Sequence, residues 1–80
     1  MIKLNRQVES LENVIEKLED RISDLQEKID AIKENADEHD RELTKAEEKK
    51  ISKYEDLMDE LQNEIDEIEH ALDYLREYAD

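Results

Sequence analysis

The sequence predicts an all-α fold, an antiparallel two-helix coiled-coil hairpin that associates into a dimeric four-helix bundle. Two apolar seams alternate in steps of three and four residues, they differ in phase by one residue, and a helix-capping motif stands between them. The 80 residues include no glycine or proline that would interrupt a helix. We expect one hairpin over residues 1–80, with helix 1 at about 3–38, a turn at about 39–44 and helix 2 at about 45–79.

The first seam predicts a helix with a coiled-coil stripe. Its apolar residues recur in alternating steps of four and three, which place them on one helical face. They are Leu4, Val8, Leu11, Ile15, Leu18, Ile22, Leu25, Ile29 and Ile32. Leucine fills one seam position and β-branched residues fill the other, a pattern that also favours a long parallel two-stranded coiled coil. That parallel dimer is the alternative fold.

The second seam has the same spacing. Its residues are Ile51, Tyr54, Met58, Leu61, Ile65, Ile68, Leu72, Leu75 and Ala79. A continuous helix would have to absorb the phase difference by local unwinding, whereas a chain reversal makes it irrelevant. Folding the chain back at its centre pairs the two seams completely. Leu4 meets Ala79 at the open end, and Ile32 meets Ile51 beside the turn.

Charged residues beside the seams favour the hairpin as well. In a parallel homodimer Lys28 would face Lys33 of the other chain, and like charges at such positions are destabilising. The hairpin instead brings opposite charges together: Arg21 with Glu64, Glu12 with Arg76, and Lys33 with Glu48 or Glu55.

The turn carries a helix-start signal. Thr44 followed three residues later by Glu47 is a capping box, in which each side chain bonds the backbone N–H of the other residue. It predicts that helix 2 begins near Lys45.

Residues 36–61 contain this cap, the turn Arg41-Glu42-Leu43-Thr44 and an acidic-apolar helix. The segment resembles the helical-hairpin scaffolding segment of tailed-phage capsid precursors. The resemblance covers about a third of the chain, and Asp40 stands where a glycine is expected in the turn. The resemblance implies a hairpin and a phage or mobile-element origin. No functional residue of this chain is assigned from it.

Composition excludes several classes of function. The formal net charge of −14 argues against nucleic acid or an anionic membrane as a direct partner and points to a basic protein surface. The absence of cysteine suits a reducing cytoplasm, where we expect this protein. No apolar run is long enough for a membrane span.

The sequence predicts no enzyme, cofactor or metal site. Glu67-x-x-His70 has the spacing of a di-iron ligand pair, but both residues point away from the seam and the companion carboxylates are missing. The many carboxylate pairs lack an apolar pocket that would raise one pKa, so general acid-base catalysis has no site. There is no glycine-rich phosphate loop and no pairing of nucleophile with base.

The second helix offers the candidate binding surface. Residues 54–80 contain eleven acidic residues and one basic residue. We expect an acidic face with two tyrosines as partly apolar anchors, and its ordinary alternative is a solvated coiled-coil exterior. The candidate residues are Asp59, Glu60, Asp66, Glu67, Asp73, Tyr74 and Tyr78.

The apolar stripe also widens beside the seam, at Val14, Leu57, Ala71 and Tyr78. We interpret this widening as the interface of a homodimer, and shielding of the seam is the simpler alternative. Two functions stay open. One is a protein-interaction module, such as a phage inhibitor that occupies a nucleic-acid site of a host protein by charge mimicry. The other is a structural or scaffolding coiled coil that self-assembles.

Overall fold

A computed structural model describes the backbone of residues 2–78 and the side chains of residues 6–78. Two α-helices, α1 (Ile2–Glu38) and α2 (Lys45–Tyr78), pack against each other. The described chain measures 58 × 16 × 13 Å. One unbroken helix of this length would extend to about 115 Å. The chain therefore folds back on itself, which confirms the helical hairpin.

The seam residues form the contact between the helices. The buried ones are Leu18, Ile29, Ile51, Ile65 and Leu72, together with Ala36 four residues beyond the end of the first seam, with exposed fractions between 2% and 7%. The other seam residues whose side chains are described are half-buried. Each helix packs its seam against one other helix only, so the edges of the contact stay open to solvent. The predicted contact of Leu4 with Ala79 lies outside the described side chains.

Charged contacts between the helices follow the predicted register. Arg76 Nη2 lies 3.6 Å from Glu12 Oε2, as predicted. Arg21 and Glu64 line one groove between the helices, although they form no ion pair within 4.0 Å. Lys33 shares a groove with Glu55 and another with Glu48, the two acidic residues predicted beside it. In these grooves the helices therefore meet in the predicted register.

Helix α1 ends in a Schellman motif. The Arg41 N–H donates to the Ala36 carbonyl at 3.1 Å, and the Asp40 N–H donates to the Asp37 carbonyl at 3.1 Å. Asp40 has φ of 49°, the left-handed conformation that this motif requires and that glycine adopts most readily. A glycine was expected at this position, and the positive φ of Asp40 is the physical reason. His39 adds a third contact, because its Nδ1 donates to the Asn35 carbonyl at 2.8 Å.

Helix α2 begins with the predicted capping box. The Glu47 N–H donates to Thr44 Oγ1 at 3.1 Å, and the Thr44 N–H donates to Glu47 Oε1 at 2.9 Å. Two of the N–H groups that a helix start leaves without partners are satisfied in this way. The motif is confirmed, and α2 starts at Lys45, directly after the capping threonine.

Arg41 joins the two caps into one unit. Its Nη1 donates to Glu47 Oε1 at 2.7 Å, and its Nη2 donates to Glu47 Oε2 at 3.1 Å. Nη2 also donates to Asn35 Oδ1 at 3.2 Å, near the end of α1. The hydrogen bonds from Arg41, and then the one from the Thr44 N–H, lower the pKa of Glu47 to about 2. The same pairing raises the pKa of Arg41.

Candidate interaction surfaces

The helix pair has two long sides, each with a groove between the helices. The mixed-charge groove is lined by Arg21, Asp24, Leu25, Lys28, Leu57, Glu60, Leu61 and Glu64. The acidic groove is lined by Glu12, Ile15, Glu16, Glu19, Glu69, Leu72, Asp73 and Arg76. On α1, the charged residues that line the mixed-charge groove come directly before seam residues in the sequence. Those that line the acidic groove come directly after seam residues. Because each residue turns a helix by about 100°, the two grooves lie on opposite sides of the seam.

The acidic groove concentrates negative charge from both helices. Its lining has five carboxylates and one guanidinium. The guanidinium belongs to Arg76, whose Nη2 lies 3.6 Å from Glu12 Oε2. Both side chains are about half exposed. Exposed ion pairs of this kind contribute at most about 1 kcal/mol. This groove is therefore anionic, and sequence reasoning missed that α1 contributes Glu12, Glu16 and Glu19 to it.

The predicted acidic residues of α2 divide between the two sides. Asp73 lines the acidic groove, and Asp66 shares a recess with Asp73 and Glu69. Asp59 lines a groove with Gln26 and Lys33, which follow seam positions of α1. These three aspartates therefore form one column on the side of the acidic groove, here called the aspartate column.

Glu60 lies on the other side, in the mixed-charge groove. Glu67 and Tyr74 follow Glu60 at intervals of seven residues, so the three residues share one face of α2. All three are exposed. The seven residues predicted to bind a partner thus occupy two neighbouring faces of α2, about 100° apart around the helix axis.

Tyr74 and Tyr78 form an exposed aromatic pair at the end of α2. Their ring centroids are 4.9 Å apart and the rings are tilted by 49°. Their exposed fractions are 62% and 65%. Tyrosines bury a large apolar area with few rotatable bonds, which suits them to contacts with another protein.

The predicted apolar interface lies on the side of the mixed-charge groove. Leu57 lines this groove, and Ala71 and Tyr78 follow it at multiples of seven residues. Val14 precedes the groove residue Arg21 by seven residues. Val14 and Leu57 are each 39% exposed, so their apolar surface is only partly used within the hairpin. Nothing within the described hairpin covers these side chains completely.

Polar chemistry in the described chain stays at the surface. None of the buried side chains from Arg6 to Tyr78 is polar or charged. Residues 2–78 contain no group of three or more His, Cys, Asp or Glu side chains that could hold a metal ion. Glu67 and His70 are both exposed. Neither helix, over these same residues, is long and apolar enough to cross a membrane.

The turn contains a polar cluster that sequence reasoning did not find. It consists of Asn35, Arg41, Thr44 and Glu47, joined by the hydrogen bonds described above. The capping box was visible in the sequence, but the role of Arg41 depends on the left-handed turn at Asp40, which points the chain back across both helix ends. We interpret this cluster as structural, because all of its bonds hold the turn together.

Comparison of the chain with protein-family models, with curated proteins and with solved structures gave no match.

Proposed function

We propose that this chain is a small acidic, non-enzymatic interaction module that docks on a basic protein surface. The observation that carries the proposal is the unequal distribution of charge around the hairpin. One side combines the acidic groove with the aspartate column Asp59, Asp66 and Asp73, and Arg76 is the single basic residue in the acidic groove. Lys33 lies beside Asp59 on the same side, and the excess of carboxylates leaves this side predominantly negative. Such a surface attracts a basic partner over several ångströms and accelerates association.

Shape supports the same proposal. The described hairpin is a rod 58 Å long and 16 Å wide, so its acidic side is narrow and extended. A protein groove that normally holds nucleic-acid phosphates presents an extended basic surface of this kind. Inhibition by charge mimicry is the form of docking that we favour. Tyr74 and Tyr78 lie towards the side of the mixed-charge groove, so docking through the acidic side rests on the carboxylates.

The test needs a purified partner and two matched variants. The wild-type chain, immobilised, would capture candidate proteins from an extract of the native host, and each candidate would then be purified. Asp59→Asn, Asp66→Asn and Asp73→Asn together neutralise the aspartate column. Asp20→Asn, Glu27→Gln and Glu34→Gln together remove the same charge, at the same seven-residue spacing, from the outer face of α1.

We expect the first triple variant to bind the purified partner at least about ten-fold more weakly, and the second to bind like wild type. Equal binding by wild type and the aspartate variant would contradict docking through this side. Charge mimicry further requires that the chain displaces nucleic acid from the partner. Simultaneous binding of both would leave docking intact and contradict mimicry.

Self-assembly is the second candidate function, and the partly exposed apolar side supports it. We propose that Val14, Leu57, Ala71 and Tyr78 contribute to a homodimer, which would be a four-helix bundle. Their side would cover the half-buried seam residues Leu25 and Leu61, which line the mixed-charge groove. Small helical units commonly gain stability by such association, because two helices enclose little core.

A further inference from the structure

Both basic residues of the mixed-charge groove come from α1. Arg21 and Lys28 come from α1, which also contributes Asp24 between them, whereas Glu60 and Glu64 come from α2. Between these two rows lie Leu25, Leu57 and Leu61. One exposed side of the hairpin therefore carries a basic row of net charge +1 on α1, an apolar centre, and an acidic row of net charge −2 on α2, in that order across its width.

We propose that this groove seats a second copy of the chain in parallel orientation, related by a two-fold axis along the hairpin, so that both turns lie at the same end. The inference rests on the proposed self-association and adds its geometry. In this arrangement α1 of each copy packs on α2 of the other. Arg21 then meets the partner's Glu64, and Asp24 lies level with the partner's Glu60, which is one like-charge contact.

Charge complementarity selects this orientation over its alternative. A two-fold axis across the hairpin would place α1 against α1 and α2 against α2. The acidic rows of the two copies, each with Glu60 and Glu64, would then face each other, and so would the two α1 rows of net positive charge. Like charges in contact oppose association, whereas opposite charges fix the register of an interface. The parallel dimer is the one in which the acidic row of each copy faces the row of net positive charge.

The groove residues are available for such contacts. Among the described residues, the ion pairs within 4.0 Å are Arg41–Glu47 and Arg76–Glu12, so Arg21 and Glu64 have no such pair within their own chain. Lys28 Nζ lies 5.9 Å from the centre of the Tyr54 ring, near the limit for a cation–π contact. These side chains can turn towards a partner without breaking a strong bond.

The projected area of one whole side of the hairpin reaches that of a standard protein interface. The length of 58 Å and the width of 16 Å project an area of roughly 900 Å², close to the ~800 Å² per partner of a standard interface. The opposite side does not suit a second copy. There Glu19 and Glu69 line the acidic groove on different helices, so either two-fold arrangement would bring carboxylates of the two copies together.

A distance between identical labels tests the orientation. The chain has no cysteine, so Glu42→Cys creates a single attachment site for a spin label in the turn. Parallel packing puts the two turns side by side, and because packed helices lie 8–10 Å apart we expect a distance below about 30 Å. Perpendicular two-fold packing separates the turns by about the hairpin length of 58 Å. A long distance in a confirmed dimer would overturn the parallel arrangement.

Neutralising the basic row gives an independent test. Arg21→Gln with Lys28→Gln removes attraction in the parallel dimer, and we expect the dimer Kd to rise about ten-fold. In the alternative orientation the same change removes repulsion, so Kd would fall. Arg6→Gln with Lys49→Gln removes equal charge from the outer faces of the two helices and controls for net charge. Sedimentation measures the mass of each variant, and the helicity of each variant is measured as well. An unchanged or lower Kd relative to this control overturns the inference, and a monomeric wild-type chain overturns the proposed self-association itself.

Discussion

Arg41 holds Glu47 through two hydrogen bonds across the turn, Nη1 to Oε1 at 2.7 Å and Nη2 to Oε2 at 3.1 Å. Glu47 also accepts from the Thr44 N–H, so one carboxylate serves both the helix cap and the connection between the helices. Two planar groups paired in this way fix orientation as well as distance. The chain reversal is therefore held by specific polar contacts in addition to the apolar seam.

This pairing predicts a pH dependence of stability. The pKa of Glu47 is lowered from 4.5 to about 2, so its contribution is fully present above about pH 4.5 and disappears as pH falls through 2. The stability difference between wild type and Glu47→Gln should accordingly shrink across that window, as measured by urea unfolding. Glu42→Gln, which removes a neighbouring exposed carboxylate, controls for the change in net charge. A difference that stays constant from pH 5 to about pH 2 would contradict the role assigned to Glu47.

Asp40 should be replaceable by glycine with a gain in stability. Its φ of 49° is unfavourable for a residue with a Cβ and free of strain for glycine. We expect Asp40→Gly to raise the free energy of unfolding by about 0.5–1 kcal/mol. Asp40→Val should lower it, because β-branched residues tolerate this conformation least. Thermal unfolding of the two variants checks the order, and a loss of stability with glycine would contradict the left-handed turn.

The buried seam should respond strongly to truncation. Leu18 is 7% exposed and Ile65 is 2% exposed. Replacing either by alanine should cost about 2–5 kcal/mol in unfolding free energy, with Ile65→Ala at the higher end because it is more deeply buried. Ala46→Ser, at an exposed position early in α2, provides a mild control. If both core variants unfold at the wild-type denaturant concentration, the helices do not pack along this seam.

The apolar side should be needed for assembly and dispensable for the hairpin. Leu57→Glu or Ala71→Glu places a charge beside the seam, where the side chain can still reach water within one chain. We expect the dimer to dissociate while most of the helicity remains, because a buried unpaired charge is costly only in the assembled state. Light scattering and circular dichroism measure the two quantities. Unchanged mass for both variants would remove this side from the interface.

The hairpin was predictable because its determinants are local or periodic. Seam residues such as Leu18 and Ile65 recur at helical spacing, and Thr44 with Glu47 marks the helix start within four residues. The charge of Arg76 opposite Glu12 also followed from the register alone, and the structure contains that pair. None of these features depends on an unusual backbone conformation.

The charged residues on each side of the hairpin were harder to predict from the sequence. Sequence reasoning treated the acidic residues of α2 as one surface, but Asp59 and Glu60 face different grooves because adjacent helical residues diverge by about 100°. Glu19 lines the acidic groove only because α2 packs beside it, so its contribution could not be seen from the sequence of α1 alone. Arg41 escaped notice because its partners lie six residues away on both sides and meet only after the chain turns at Asp40.

Association kinetics with the captured partner test the proposed docking most directly. The association rate constant would be measured by stopped flow at increasing salt for wild type, for the Asp59→Asn, Asp66→Asn, Asp73→Asn variant and for the matched α1 variant. We predict that the aspartate variant associates roughly ten-fold more slowly than wild type at low salt, because surface charge steers encounter. The difference should vanish near 1 M salt, where the screening length falls to about 3 Å. Equal rates for wild type and the aspartate variant at low salt would contradict docking through the acidic side.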